Sequence, residues 1–175
     1  GREKLENLLT RLDPGSHVMF CFGEIDCRAH IILQSQKQNR PPEAVIQEVV
    51  ARYFSVILET RMMGFQPLIW NVIPSAPTEI NDRITVPPQY LFHGSCEERN
   101  RVTRLFNQTL KTLAKSAGIQ FLSLFDQLFL EDGSVNQSYF SDEIHLSQKA
   151  MPLVLESLNK LFKGNGFCDS QKRYT

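Results

Sequence analysis

The 175-residue chain has no surplus charge of either sign: nineteen Lys and Arg balance nineteen Asp and Glu. No global field therefore favours a polyanion or an anionic membrane surface. The basic residues do not gather into a stripe interleaved with aromatics, which argues against a nucleic-acid partner. No apolar run approaches the roughly eighteen residues that a membrane-spanning helix needs. Internal repeats, low-complexity blocks and a visible secretory leader are also missing. The four cysteines, Cys21, Cys27, Cys96 and Cys168, form no CxxC pair, so neither a zinc knuckle nor a thioredoxin-like motif is supported. Cys21 sits in an apolar run and reads as a small buried hydrophobe. Reduced thiols and a cytoplasmic setting are the expectation.

What is present is enough for one domain with its own core. The expected boundaries are 1–163 for the folded domain and 164–175 for a flexible tail. Residues 2–12 carry Leu5, Leu8, Leu9 and Leu12 at helix-like spacing. After the turn "DPGS", the run "HVMFCFG" (17–23) reads as a strand buried on both faces. A long helix follows, with Ile46, Val49, Val50, Tyr53, Phe54, Ile57 and Leu58 on one face, Pro42 before it and Gly64 after it. "QPLIWNVIP" (66–74) reads as a second strand and "IQFLSLF" (119–125) as a third. Between them lie a Pro-rich loop over 75–94, a candidate substrate lid, and a helix opened by the capping-box pair Ser95 and Glu98. "EDGS" (131–134) reads as a turn, and Leu146–Phe162 returns to helical spacing despite Pro152.

Strands alternating with helices of ten to twenty residues predict an α/β domain, a parallel sheet with helices on both faces. Ligands of such sheets gather outside the carboxyl ends of the strands. That places weight on the loop Gly23-Glu24-Ile25-Asp26-Cys27-Arg28-Ala29-His30. Its ionisable groups would be costly behind a buried strand unless they pair with each other or with a ligand. An Asp26–Arg28 or Glu24–Arg28 ion pair that only locks the loop is one reading; a binding site is the other. The stretch "SDEIHL" (141–146) is similarly open. Asp142 three residues before His145 is either a polar turn between packed elements or the acid–base half of a hydrolase. In the second case Asp142 would receive the imidazole Nδ1–H and leave Nε2 free to take a proton. His30 follows Asp26 by four residues, but no third ligand has a sensible spacing, so no metal and no cofactor are expected. His17 and His93 read as structural or exposed.

The order of these pieces resembles the SGNH/GDSL hydrolases from His17 to Phe162. "GEID" follows a buried strand, "NVIPSAP" follows the next, "ERNRVTRLFNQTL" lies on a helix, and "DEIHL" comes last. Asp142 and His145 match the family's Asp-x-x-His; Gly23 and Asp26 match its Gly-x-Asn-Asp. The resemblance implies a three-layer α/β/α sandwich with a parallel, flavodoxin-like sheet. It also implies an acyl or acetyl esterase, with His145 as base, Asp142 orienting it, and Gly23, Glu24, Asp26 and Arg28 shaping the substrate site. A small-molecule ester or acetylated carbohydrate is the implied ligand. Two departures stand out. Ile25 replaces the asparagine that donates to the oxyanion, a change worth about two to three orders of magnitude in rate. The family's Gly-Asp-Ser is missing, and Ser16 leads into a strand at the end opposite the site. The sequence therefore reads as a sheet lacking its first strands, with the serine upstream of Gly1 or on a partner. A non-catalytic binding or assembly module of the same fold is the alternative.

Overall fold

Short strands alternate with longer helices through residues 2–77 and 92–163, the part of the chain that the computed structural model describes. Helix α1 (Arg2–Leu9) leads to strand β1 (His17–Phe20). A π-helical turn (Asp26–His30) runs into α2 (Ile31–Gln38), which is followed by the long α3 (Pro42–Met62) and β2 (Gln66–Trp70). Helix α4 (Cys96–Ser116), β3 (Gln120–Leu122), three short 3-10 turns and α5 (Met151–Lys163) complete the order. The lid expected over 75–94 falls largely outside the described residues, as does the tail expected over 164–175.

All three strands are parallel, in the order β1-β2-β3. Alternation along β2 splits the core in two. Ile69 faces one layer, where Phe20, Ile46, Val50, Ile57, Phe106 and Leu110 bring α3 and α4 onto the sheet. Trp70 faces the other, packing with Leu124, Leu128, Phe140 and Val154 beneath α5. The result is a three-layer α/β/α arrangement, as the alternation of elements predicts.

Local chemistry explains most element ends. Ser95 Oγ accepts the Glu98 N–H at 3.1 Å while the Glu98 carboxylate accepts the Ser95 N–H at 2.7 Å, so the predicted capping box opens α4. Pro152 falls in the first turn of α5, where a missing N–H is tolerated. Several expectations need correction, beginning with the second strand, which ends at Trp70 rather than Pro74. The first strand is shorter than 17–23 and is not buried on both faces: β1 has no strand beside its outer edge among the described residues, and Met19 is 43 % exposed. The third strand stops at Leu122 because Asn71 Oδ1 captures the Leu124 N–H at 2.8 Å. Leu146 does not begin a helix; it bridges back to Phe140.

Candidate active site

The Phe140–Leu146 bridge closes a tight turn over Ser141–His145, fastened by the Ser141 N–H donating to the His145 carbonyl at 2.9 Å. Inside it Asp142 works twice. Oδ1 accepts the N–H groups of Ile144 (2.8 Å) and His145 (2.7 Å), and Oδ2 lies 2.7 Å from His145 Nδ1. The carboxylate thus fixes the backbone of the turn and the imidazole together. An imidazole that donates Nδ1–H to a carboxylate presents Nε2 as an acceptor. Asp142 is 17 % exposed and His145 68 %, so the carboxylate is sheltered while the imidazole is open to solvent.

Partial burial pushes the Asp142 carboxyl upward, but the Ile144 N–H, the His145 ring and the His145 N–H together outweigh it and hold it below the usual range. A carboxyl depressed on folding contributes stability that is fully present above its unfolded value, near pH 4, and is lost as pH falls through the folded one. Melting temperatures of wild type and Asp142→Ala, measured from pH 7 down to pH 2, are therefore expected to converge at the acid end.

Asparagines that the sequence reading passed over hold the neighbouring loops. Asn107 Oδ1 accepts the Val72 N–H and its amide donates to the Val72 carbonyl, both at 2.8 Å. Two turns earlier on α4, Asn100 grips Ser75 in the same way, at 2.8 and 3.0 Å. Asn71 spans the loops after β2 and β3, donating to the Val72 carbonyl and accepting from Leu124. Each orphaned buried backbone group would cost about 1–3 kcal/mol. The Ala76 N–H then donates to the Glu143 carbonyl at 3.1 Å, which ties the Asp142–His145 turn to this braced frame. The available signal was two asparagines seven residues apart on a helix whose neighbours point inward.

A cleft of about 370 Å³ opens beside the imidazole, lined by Cys21, Phe22, Glu24, Asn71, Ile144 and His145 among others. Glu24 is held there by Arg28, whose Nε donates to Oε1 at 2.5 Å; the guanidinium is buried and lies over the Phe92 ring. Gly23 and Asp26 line a separate groove of about 710 Å³ between α2 and α3. There Asp26 Oδ1 sits 3.3 Å from His30 Nδ1. Of the four loop residues singled out in the sequence, the fold thus places Glu24 in the cleft with His145 and Arg28 behind it, with Gly23 and Asp26 in the other groove. Gly23 has φ +108°, and a Cβ there would meet the Phe106 ring at 2.8 Å. Ile25 is 39 % exposed and lines neither opening. Ser16 lies at the amino end of the sheet, its carbonyl accepting from Gln66. His17 packs edge-on against Phe162 there. The His93 N–H donates to the Arg28 carbonyl at 3.1 Å.

No protein-family model matches the chain, and no curated protein matches it. Solved structures do. The carboxy-terminal domain of Drosophila Oskar superposes with a TM-score of 0.58 at 16 % identity, over 93 % of this chain and 69 % of that one. A protein assigned as a platelet activating factor from Streptococcus pneumonia gives 0.51 at 20 % identity, over 91 % and 64 %. A GDSL-like lipase from Bacteroides thetaiotaomicron gives 0.46 at 15 % identity, over 68 % and 51 %. The Oskar domain and the streptococcal protein share this fold over more than nine-tenths of the chain. At these identities the likeness is one of fold, and the chain spans about half the length of the lipase. Within this fold the Asp142–His145 turn lies between the short turns after β3 and α5, at the carboxyl end of the sheet. No helix among the described residues is long and apolar enough to cross a membrane.

Proposed function

We propose that the chain is the acid–base half of an ester hydrolase whose nucleophilic serine lies outside these 175 residues, upstream of Gly1. The observation that carries this reading is the 2.7 Å contact between Asp142 and His145 Nδ1, with the imidazole exposed at the rim of a cleft. His145 Nε2 takes the hydroxyl proton as the serine attacks the acyl carbon, and returns it to the leaving alcohol. Asp142 steadies the imidazolium formed in between. Glu24, held by Arg28, supplies a carboxylate to the same cleft. It suits a hydroxyl-rich alcohol portion, which makes an acetylated carbohydrate the favoured substrate class. Asp26 and Gly23 shape the loop from the neighbouring groove. The free thiols of Cys21, Cys27 and Cys96 fit a reducing, cytoplasmic setting.

Among the described residues no strand pairs with the outer edge of β1, which supports a sheet completed by further strands, from the segment upstream or from a partner chain. The reading is tested with protein expressed from the full reading frame. Turnover of p-nitrophenyl acetate is expected to fall by about 10²–10⁴-fold in His145→Ala, and an unchanged rate would remove the hydrolase. One observation favours the non-catalytic module: Ile25 offers no side-chain donor to an oxyanion, and no polar side chain stands at its position. A full-length protein without any serine-dependent turnover would select that reading.

A further inference from the structure

The sequence suggests that Cys21 is a buried apolar filler; instead it is exposed and lines the same cleft as His145. The reason is local. Strand β1 ends at Phe20, so Cys21 leaves the sheet at its carboxyl end, on a strand whose outer edge has no neighbour among the described residues. Among the side chains lining this cleft, Cys21 alone carries a thiol or hydroxyl, and His145 alone carries an imidazole. The imidazole is already oriented by a carboxylate. A thiol and an imidazole therefore line one opening, and the Asp142 carboxylate holds the imidazole from outside it.

We propose that Cys21 is an acyl acceptor served by His145 and Asp142, so that the chain forms a thioester from acyl esters. Like the hydrolase reading, this rests on His145 acting as a base. The Cys21 sulfur attacks the ester carbonyl while its proton passes to His145 Nε2. The tetrahedral adduct collapses with cleavage of the ester C–O bond. The departing oxygen takes the proton from His145, leaving an alcohol and an S-acyl cysteine. No oxidant or further reactant is consumed. Burial on one side raises the Cys21 thiol above its usual value, so it is not a standing thiolate and depends on the base beside it.

The experiment treats the 175-residue chain with p-nitrophenyl acetate and reads intact mass and peptide maps. The expected result is a single acetyl group on Cys21, removed by neutral hydroxylamine. His145→Ala and His145→Gln, each with an unchanged far-ultraviolet dichroism spectrum, are expected to slow acylation by about 100-fold or more. Cys96 is a useful internal control, since its half-buried thiol donates to the Ser75 carbonyl and lies outside the cleft. Equal labelling of Cys21 and Cys96, or a Cys21 rate indifferent to both His145 variants, would overturn the proposal. If acylation fails while full-length turnover still depends on His145, only the Cys21 assignment is lost. If neither process depends on His145, its role as base is wrong.

Discussion

Asp142→Asn is expected to lower ester turnover by the full-length protein about 10²–10⁴-fold while leaving the fold intact. The introduced amide keeps an oxygen where Oδ1 accepts the Ile144 and His145 N–H groups, so the turn has no reason to open. What changes is the atom facing His145 Nδ1, now an N–H donor in place of the carboxylate oxygen 2.7 Å away. That donor selects the tautomer with the proton on Nε2, which is then unable to receive one from the nucleophile. The negative charge that stabilises an imidazolium disappears as well. Together these effects correspond to about 3–5 kcal/mol in the barrier. The check is kcat against pH for wild type and variant, with a dichroism spectrum for each. A variant within threefold of wild type would mean that Asp142 serves only the turn.

Gly23→Ala should produce a large loss of stability from one methyl group. At φ +108° an L-residue is strained by about 1–2 kcal/mol. The added Cβ would also meet Phe106 Cε1 and Cζ at 2.8 Å and Val72 Cγ2 at 2.9 Å. Neither neighbour yields easily, because Phe106 is fully buried and Val72 has its N–H and carbonyl clamped by Asn107. Overpacking of this kind costs about 1–3 kcal/mol. The total of roughly 2–5 kcal/mol implies a melting temperature lower by about 4–20 °C. Thermal melts of the 175-residue chain measure it directly. An unchanged midpoint would show that the loop after β1 can move away from α4.

The parts of this fold that could be read from the sequence are those where a local signal and the packing agree. Ile46, Val50, Phe54 and Ile57 recur at helical spacing, and all four are buried in α3. Ser95 and Glu98 have the spacing of a capping box and form one. The Asp142–His145 spacing predicts the contact that is present, because a three-residue separation within a closed turn leaves the two side chains on one side. The failures have a common physical cause, which is that the deciding partner is distant in sequence. Helix α2 begins on a π turn with Ile25 at its N-cap and no side-chain cap, so no start signal marks it. Strand β3 is cut short by Asn71, fifty-three residues earlier. The residues 23–28 look like one polar loop in sequence. The turn at Gly23 and the π helix after it distribute them between two openings, which no periodicity encodes. Cys21 sits among apolar neighbours in the chain but emerges at the end of an edge strand.

Activation by His145 and Asp142 of a serine that these 175 residues do not contain is open to a mapped covalent label. Protein from the full reading frame is treated with a fluorophosphonate, and the modified residue is located by peptide mass spectrometry in wild type and in His145→Ala. One label is expected, on a serine upstream of Gly1, formed at least about 100-fold more slowly without the imidazole. A label on Ser16, or upstream labelling that proceeds equally well in His145→Ala, would contradict it.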